Sequence, residues 1–153
     1  MILFLDFDGV LHPDPCRDRA RLFEHAPKLA RTLASFTQLA VVLSTAWRTH
    51  HAQDALVAQL PPALGARVIG VTPLFQQIRC EPKWIPFRRQ AECLHWLRAH
   101  GRSEDDWLAL DDRPDGFEPF CERLLLADSA TGVTDAVLNR LRFALMQQLA
   151  HAG

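Results

Sequence analysis

Five short apolar runs punctuate the chain, at residues 2–5, 39–43, 67–71, 107–110 and 123–127. Each is rich in Val, Ile, Leu or Phe, and none shows the clean alternation of a half-solvated strand. Continuous runs of this length fit strands buried on both faces, as in a parallel sheet. The stretches between them carry a helical period. Leu22, Ala26, Leu29, Leu33 and Phe36 share a face, as do Ala55, Leu56 and Leu60, then Cys93, Leu94 and Leu97, then Val137, Leu141, Leu145 and Leu149. This alternation predicts a doubly wound, Rossmann-like α/β fold, a five-stranded parallel sheet flanked by helices. Pro61-Pro62, Pro82, Pro86 and Pro114 punctuate the connections. Residues 70–86 read as a surface loop of ~15 residues, and residues 135–150 as an amphipathic helix packed on the sheet.

Composition narrows the class without naming a function. A chain of 153 residues, 48% hydrophobic and 23% charged, is expected to form one domain over residues 1–153. No apolar stretch approaches the ~18 residues that cross a bilayer. The opening run is stopped by Asp6, too early for a signal-peptide core, so the expected location is the cytoplasm. The net charge of −1 provides no global field toward nucleic acid, membrane or acidic partners. Of the 17 basic residues only Lys28 and Lys83 are lysine. Arginine suits phosphate and carboxylate, although codon usage produces the same skew. Cys16, Cys80, Cys93 and Cys121 contain no C-x-x-C pair and read as free thiols. His12 and Cys16 lack a second pair at zinc-ligand spacing.

The informative residues are those that stop the runs. The first ends in Asp6-Phe7-Asp8-Gly9, the second in Ser44-Thr45 and the fourth in Asp111-Asp112. In a parallel sheet these stops share the carboxyl edge, where open α/β sheets place their ligand crevice. Carboxylates gathered there repel one another unless a cation neutralises them. Oxygen ligands without His or Cys favour a hard divalent ion, Mg²⁺. Taken singly, Asp6 and Asp8 could form an Asx-type turn and Ser44-Thr45 a helix N-cap.

Residues 3–10, an apolar strand followed by Asp6-Phe7-Asp8-Gly9-Val10, resemble the first motif of the haloacid dehalogenase-like (HAD) superfamily. Val41-Val42-Leu43-Ser44-Thr45 resembles its second motif and Leu108-Ala109-Leu110-Asp111-Asp112 its fourth, in the family's order. More narrowly, Ser44-Thr45-Ala46-Trp47-Arg48 and Leu110-Asp111-Asp112-Arg113 are similar to small HAD domains associated with RNA-repair proteins. The third motif is a single cation, for which Lys83, Arg88 and Arg89 lie in the right interval. If Pro86 opens the helix, Arg89 sits on its inward face, four residues before Cys93, which favours it over Lys83.

The resemblance implies a role for each stop. Asp6 would be the nucleophile that forms an aspartyl-phosphate, and Asp8 the general acid and then base. An acid at Asp8 implies phosphate chemistry rather than dehalogenation. Ser44, with Thr45 as the alternative, would hydrogen-bond the phosphoryl oxygens, and Arg89 would neutralise charge. Mg²⁺ would be held by the Asp6 carboxylate, the Asp8 backbone carbonyl and the Asp111-Asp112 pair, Asp112 directly and Asp111 from the outer shell.

HAD enzymes usually carry a cap after the first or second motif. Here about thirty residues separate Asp8 from the second run and about forty separate Ser44 from the Arg89 helix, too few for an extra module. A capless site admits a bulky phosphorylated substrate, such as a polynucleotide end, or is covered by a neighbouring subunit. Thr45, Arg48 and Lys83 are candidate substrate contacts, in a rim with Trp47, Arg79, Trp84 and Arg113. Two other classes compete. A phosphoacceptor or otherwise weakly catalytic binding domain lacks support, since Asp54 lies inside a helical stretch and both Asp6 and Asp8 are retained. A metal-dependent nuclease would need neither the Ser44-Thr45 stop nor a third-motif cation.

Overall fold

The computed structural model describes residues 1–151. Five parallel strands form one sheet: β1 (Ile2–Leu5), β2 (Ala40–Leu43), β3 (Val68–Val71), β4 (Trp107–Asp111) and β5 (Leu124–Leu126), in the order β3-β2-β1-β4-β5. Each apolar run became a strand, trimmed or extended by a residue where pairing begins and ends. Ile2 pairs with Ala40 and with Trp107, so the strands of the first, second and fourth motifs start level. Between them lie α1 (Ala26–Leu33), α2 (Gln53–Val57), α3 (Pro62–Gly65) and α4 (Arg88–Ala99), and α5 (Asp135–His151) follows β5.

The period of two along each strand divides the core into two layers. Leu3, Leu5, Val41, Leu43, Leu108 and Leu110 face one side, packed on Leu29 and Leu33 of α1 and Leu141 and Leu145 of α5. Ile2, Phe4, Val42, Trp107 and Ala109 face the other, against Cys93, Leu94, Trp96 and Leu97 of α4. Phe4 sits edge-on between Trp96, at 6.1 Å, and Trp107, at 5.7 Å. Helices therefore cover both faces, as the unalternating runs required.

The central strand β1 lies where the chain winds left to β2 and right to β4, so the crevice at its carboxyl end is the topological switch point. Residues 6–25 form a winding segment with a single 3₁₀ turn at Arg19–Arg21, and residues 72–87 hold two more, Phe75–Gln77 and Pro82–Trp84. No cap module is inserted among the described residues, and no helix is long and apolar enough to cross a membrane. Two expectations are corrected. The 70–86 segment is not wholly superficial, since Gly70 and Val71 belong to β3 and Trp84 is buried against α4. Pro86 does not open α4, because Phe87 N–H closes back on the Trp84 carbonyl and its backbone is not helical.

Candidate active site

Backbone pairing aims the stops at one place. Asp6 N–H continues the β1–β4 ladder to the Leu110 carbonyl, and Ser44 N–H continues β2 to the Leu5 carbonyl. Asp6, Asp111 and Asp112 consequently present carboxylate oxygens all within 4.8 Å of one another. Asp6 and Asp111 are buried and Asp112 is half-buried. Gly9 makes room for them. It has a φ of +71°, and a Cβ there would collide with the Asp112 carboxylate.

Three like charges in a buried site shift their own protonation. Burial, then repulsion from Asp111, raises the Asp6 carboxyl well above the usual range, against the Arg89 charge and the Phe7 N–H. Burial raises Asp111, opposed chiefly by Arg89. Asp112 is pushed up to about 6 by burial and by Asp111. Asp8, two residues from Asp6, is held below the usual range by its hydrogen bond from His12, with Trp47 contributing.

Of the three third-motif candidates, Arg89 is the one brought to the carboxylates. Its Nε lies 3.4 Å from Asp111 Oδ2. Burial works against its charge, but Asp111 and Asp6 outweigh that and its pKa is raised. Gly116 allows this approach, since a Cβ there would lie 2.8 Å from that of Arg89. The Arg88 guanidinium instead stacks over Phe75 at 5.0 Å. Lys83 is exposed on the 3₁₀ turn Pro82–Trp84, 3.8 Å from Glu81 Oε2.

Ser44 and Thr45 part company. Ser44 is buried at the end of β2, and Thr45 is fully buried with its hydroxyl accepting from Trp47 N–H, capping the 3₁₀ turn Ala46–Thr49. Arg48 lines the cleft while its guanidinium is engaged within the fold. Its guanidinium donates to the carbonyls of Ser44, Thr45 and Thr72 and to Glu92 Oε2 at 2.7 Å. That clamp holds the loop carrying Ser44 against α4. Beside the carboxylates opens a cleft of about 460 Å³, lined by Ala46, Thr49, Arg88, Arg89, Arg113 and Gly116 among others.

Residues 2–138 match a family model described as the HAD domain in Swiss Army Knife RNA repair proteins. The chain belongs to that family. No curated protein matches it. Membership places the chain in the HAD superfamily of hydrolases and phosphatases and ties it to RNA repair. HAD proteins are typically Mg²⁺-dependent, and the residues present fit such an ion. Their donors are all carboxylate oxygens, and Asp111 Oδ2 is buried with no hydrogen-bond partner. That oxygen faces the Arg89 charge but accepts no hydrogen bond, an unmet capacity that a hard cation or its bound water would satisfy.

Sequence reasoning missed two buried partners in this HAD domain. His12 Nε2 lies 2.9 Å from Asp8 Oδ1, a contact signalled only by the i,i+4 spacing. Glu92, paired with Arg48, could have been found as an acid on the inward face of α4, three residues after Arg89. His12 therefore turns toward Asp8, while Cys16 donates weakly to the Asp18 carbonyl.

Proposed function

We propose that the chain is a Mg²⁺-dependent phosphomonoesterase working through an aspartyl-phosphate on Asp6, as one HAD-like domain over residues 1–153. The observation that carries this reading is the convergence of Asp6, Asp111 and Asp112 with Arg89 facing them at the sheet's switch point. The ion would be held by the Asp6 carboxylate, the Asp8 backbone carbonyl and Asp112, with Asp111 behind them. When bound, it supplies charge neutralisation and polarises a phosphoryl oxygen.

The chain's own residues do the rest. Asp6, ionised when its neighbours are neutralised, attacks phosphorus as the bond to the leaving oxygen breaks. Asp8 gives that oxygen a proton and later takes one from the hydrolytic water. Ser44 orients the phosphoryl oxygens, and Arg89 offsets charge that spreads over them in the transition state. The substrate proposed is a phosphorylated polynucleotide end. The RNA-repair family, the uncapped crevice and the cleft bearing Arg88, Arg89 and Arg113 support it. Arg113 is half-engaged already, ion-paired with Asp115 at 3.0 Å and exposed.

The test is phosphate release from p-nitrophenyl phosphate with and without Mg²⁺, then from 3′- and 5′-phosphorylated oligonucleotides. We expect metal-dependent release, lowered by about 10³-fold or more in Asp6→Asn, and preference for oligonucleotide ends. Equal rates for wild type and Asp6→Asn would overturn the mechanism. Turnover of all small esters alike, with none for oligonucleotides, would overturn the substrate.

A further inference from the structure

Asp8 is held by two N–H donors that reach it from different parts of the chain. Its Oδ1 receives His12 Nε2 at 2.9 Å, and the Trp47 indole N–H is shared evenly between Oδ1 and Oδ2, at 3.0 Å from each. The tautomer of His12 follows from its other nitrogen. Nδ1 accepts the Phe23 N–H at 3.2 Å, so in the neutral ring Nε2 carries the hydrogen and donates to Asp8. The ring is 1% exposed and cannot turn away. Phe23 meets it edge-on at 5.1 Å and also packs on Phe7 at 5.1 Å and Trp47 at 5.3 Å. Phe23 adopts a φ of +58°, a left-handed backbone that a phenylalanine takes only when its surroundings impose it. That strained residue supplies both the N–H that fixes His12 and the ring that walls it in.

Resting on the phosphatase reading above, we propose that His12 and Trp47 are positioning residues: Trp47 spans the Asp8 carboxyl and fixes its plane, and His12 engages Oδ1, which leaves the less engaged Oδ2 as the proton-transferring atom. In the first half-reaction Oδ2, protonated by the incoming phosphate ester in its monoanionic form, passes that proton to the leaving oxygen. That oxygen keeps the electron pair of the broken P–O bond, and Asp6 forms the new one. In the second half-reaction a water proton moves to Oδ2 as the water oxygen binds phosphorus and the bond to Asp6 breaks. His12 keeps its proton throughout, because its role is to hold the carboxyl by donation. The chain's two donors thus fix which carboxyl oxygen reacts and at what angle.

Leaving-group dependence tests this. p-Nitrophenol departs readily as an anion, while an alkyl alcohol must be protonated as it leaves. His12→Ala is expected to lower kcat on an alkyl phosphate such as glycerol 2-phosphate by about tenfold to a hundredfold. On p-nitrophenyl phosphate the loss should be only a few-fold, with KM little changed on either. His12→Gln, which restores a side-chain N–H, should recover part of the alkyl rate. Trp47→Phe keeps the packing and removes one donor. It should show the same selective loss, and it decides the matter should His12→Ala not fold. Equal losses on both esters, or none on either, in a variant with wild-type circular dichroism would overturn the assignment while the phosphatase reading stands. Failure of that reading is recognised separately, by a wild type indistinguishable from Asp6→Asn, and removes the assignment with it.

Discussion

A methyl group added at Gly9 would meet the Asp112 carboxylate, and the residue's φ of +71° already disfavours any side chain. The two effects separate by comparison with Gly101, whose φ is +60° but whose Cβ would meet nothing within 4 Å. Left-handed backbone alone costs an alanine about 1–2 kcal/mol, which for a chain of this size is about 3–6 °C in Tm. Both Gly9→Ala and Gly101→Ala should show that loss in a thermal melt. Only Gly9→Ala should also raise the Mg²⁺ concentration needed for half-maximal phosphate release, because it alone displaces Asp112. Equal Mg²⁺ dependence in the two variants would show that the close approach is immaterial. At this scale, legibility in the sequence depends on what a residue needs. Asp6, Asp8, Ser44, Asp111 and Asp112 could be found because each interrupts an apolar run, a signal carried by adjacent positions. The indole of Trp47 reaches Asp8 across 39 positions and Arg48 reaches Glu92 across 44. No local pattern records such partners, and nothing adjacent to Arg48 announces that its guanidinium is paired with Glu92.

Helix α4 links the site to the second core layer. Its first turn carries Arg89, its middle Glu92, and its inner face packs Trp96 on Phe4. The Arg48–Glu92 pair ties that helix to the turn Ala46–Thr49 and to the 72–75 segment, since Glu92 Oε1 also accepts the Phe75 N–H at 2.8 Å. Burial pushes Glu92 up and Arg48 down, away from their charged forms, and mutual attraction opposes both shifts. A pair held this way is far weaker with one partner than with neither. Glu92→Leu should destabilise by about 3–5 kcal/mol in urea denaturation by leaving a buried guanidinium unpaired. Arg48→Met should cost at least as much, since the carbonyls of Ser44, Thr45, Thr72 and Pro73 lose a donor as well. The double variant should fall well short of the two losses summed, and strict additivity would show that the pair does not act as a unit. Element type was legible here from the Cys93, Leu94, Leu97 face, whereas the helix start was not. Pro86 looked like a first-turn proline, but after the 3₁₀ turn Pro82–Trp84 the chain closes on Phe87, whose backbone is not helical, and α4 starts only at Arg88.

Across the whole molecule, the unalternating runs disclosed the sheet and its two helical layers because strands covered on both faces leave no polar stripe. A net charge of −1 conceals a division that only folding reveals: three carboxylates converge at the carboxyl edge, with Arg88, Arg89 and Arg113 along the adjoining cleft. That division ties global stability to pH and, on the proposed reading, to metal. Asp6, Asp111 and Asp112 all have pKa values raised by folding. A carboxyl raised on folding binds its proton more tightly in the native state than in the unfolded chain, so stability falls as pH rises between the two values. The penalty is absent below the ordinary aspartate value of 3.8 and, for Asp112, complete above about 6. For Asp112 alone that interval corresponds to about 3 kcal/mol, which its half-exposed position reduces to about 1–2 kcal/mol. Metal-free protein in EDTA should therefore melt several degrees lower at pH 7.5 than at pH 5. Mg²⁺ requires the ionised carboxylates, so its stabilisation runs the other way, reaching about 2.7 kcal/mol at a hundred times its Kd. Its effect on Tm should be large at pH 7.5 and small at pH 5. Asp112→Asn removes one of the crowded charges and one ligand together, so it should raise the metal-free Tm at pH 7.5 and abolish most of the Mg²⁺ shift. A Tm that is flat with pH in EDTA, or a Mg²⁺ shift unchanged by Asp112→Asn, would show that the cluster neither strains the metal-free fold nor binds the ion.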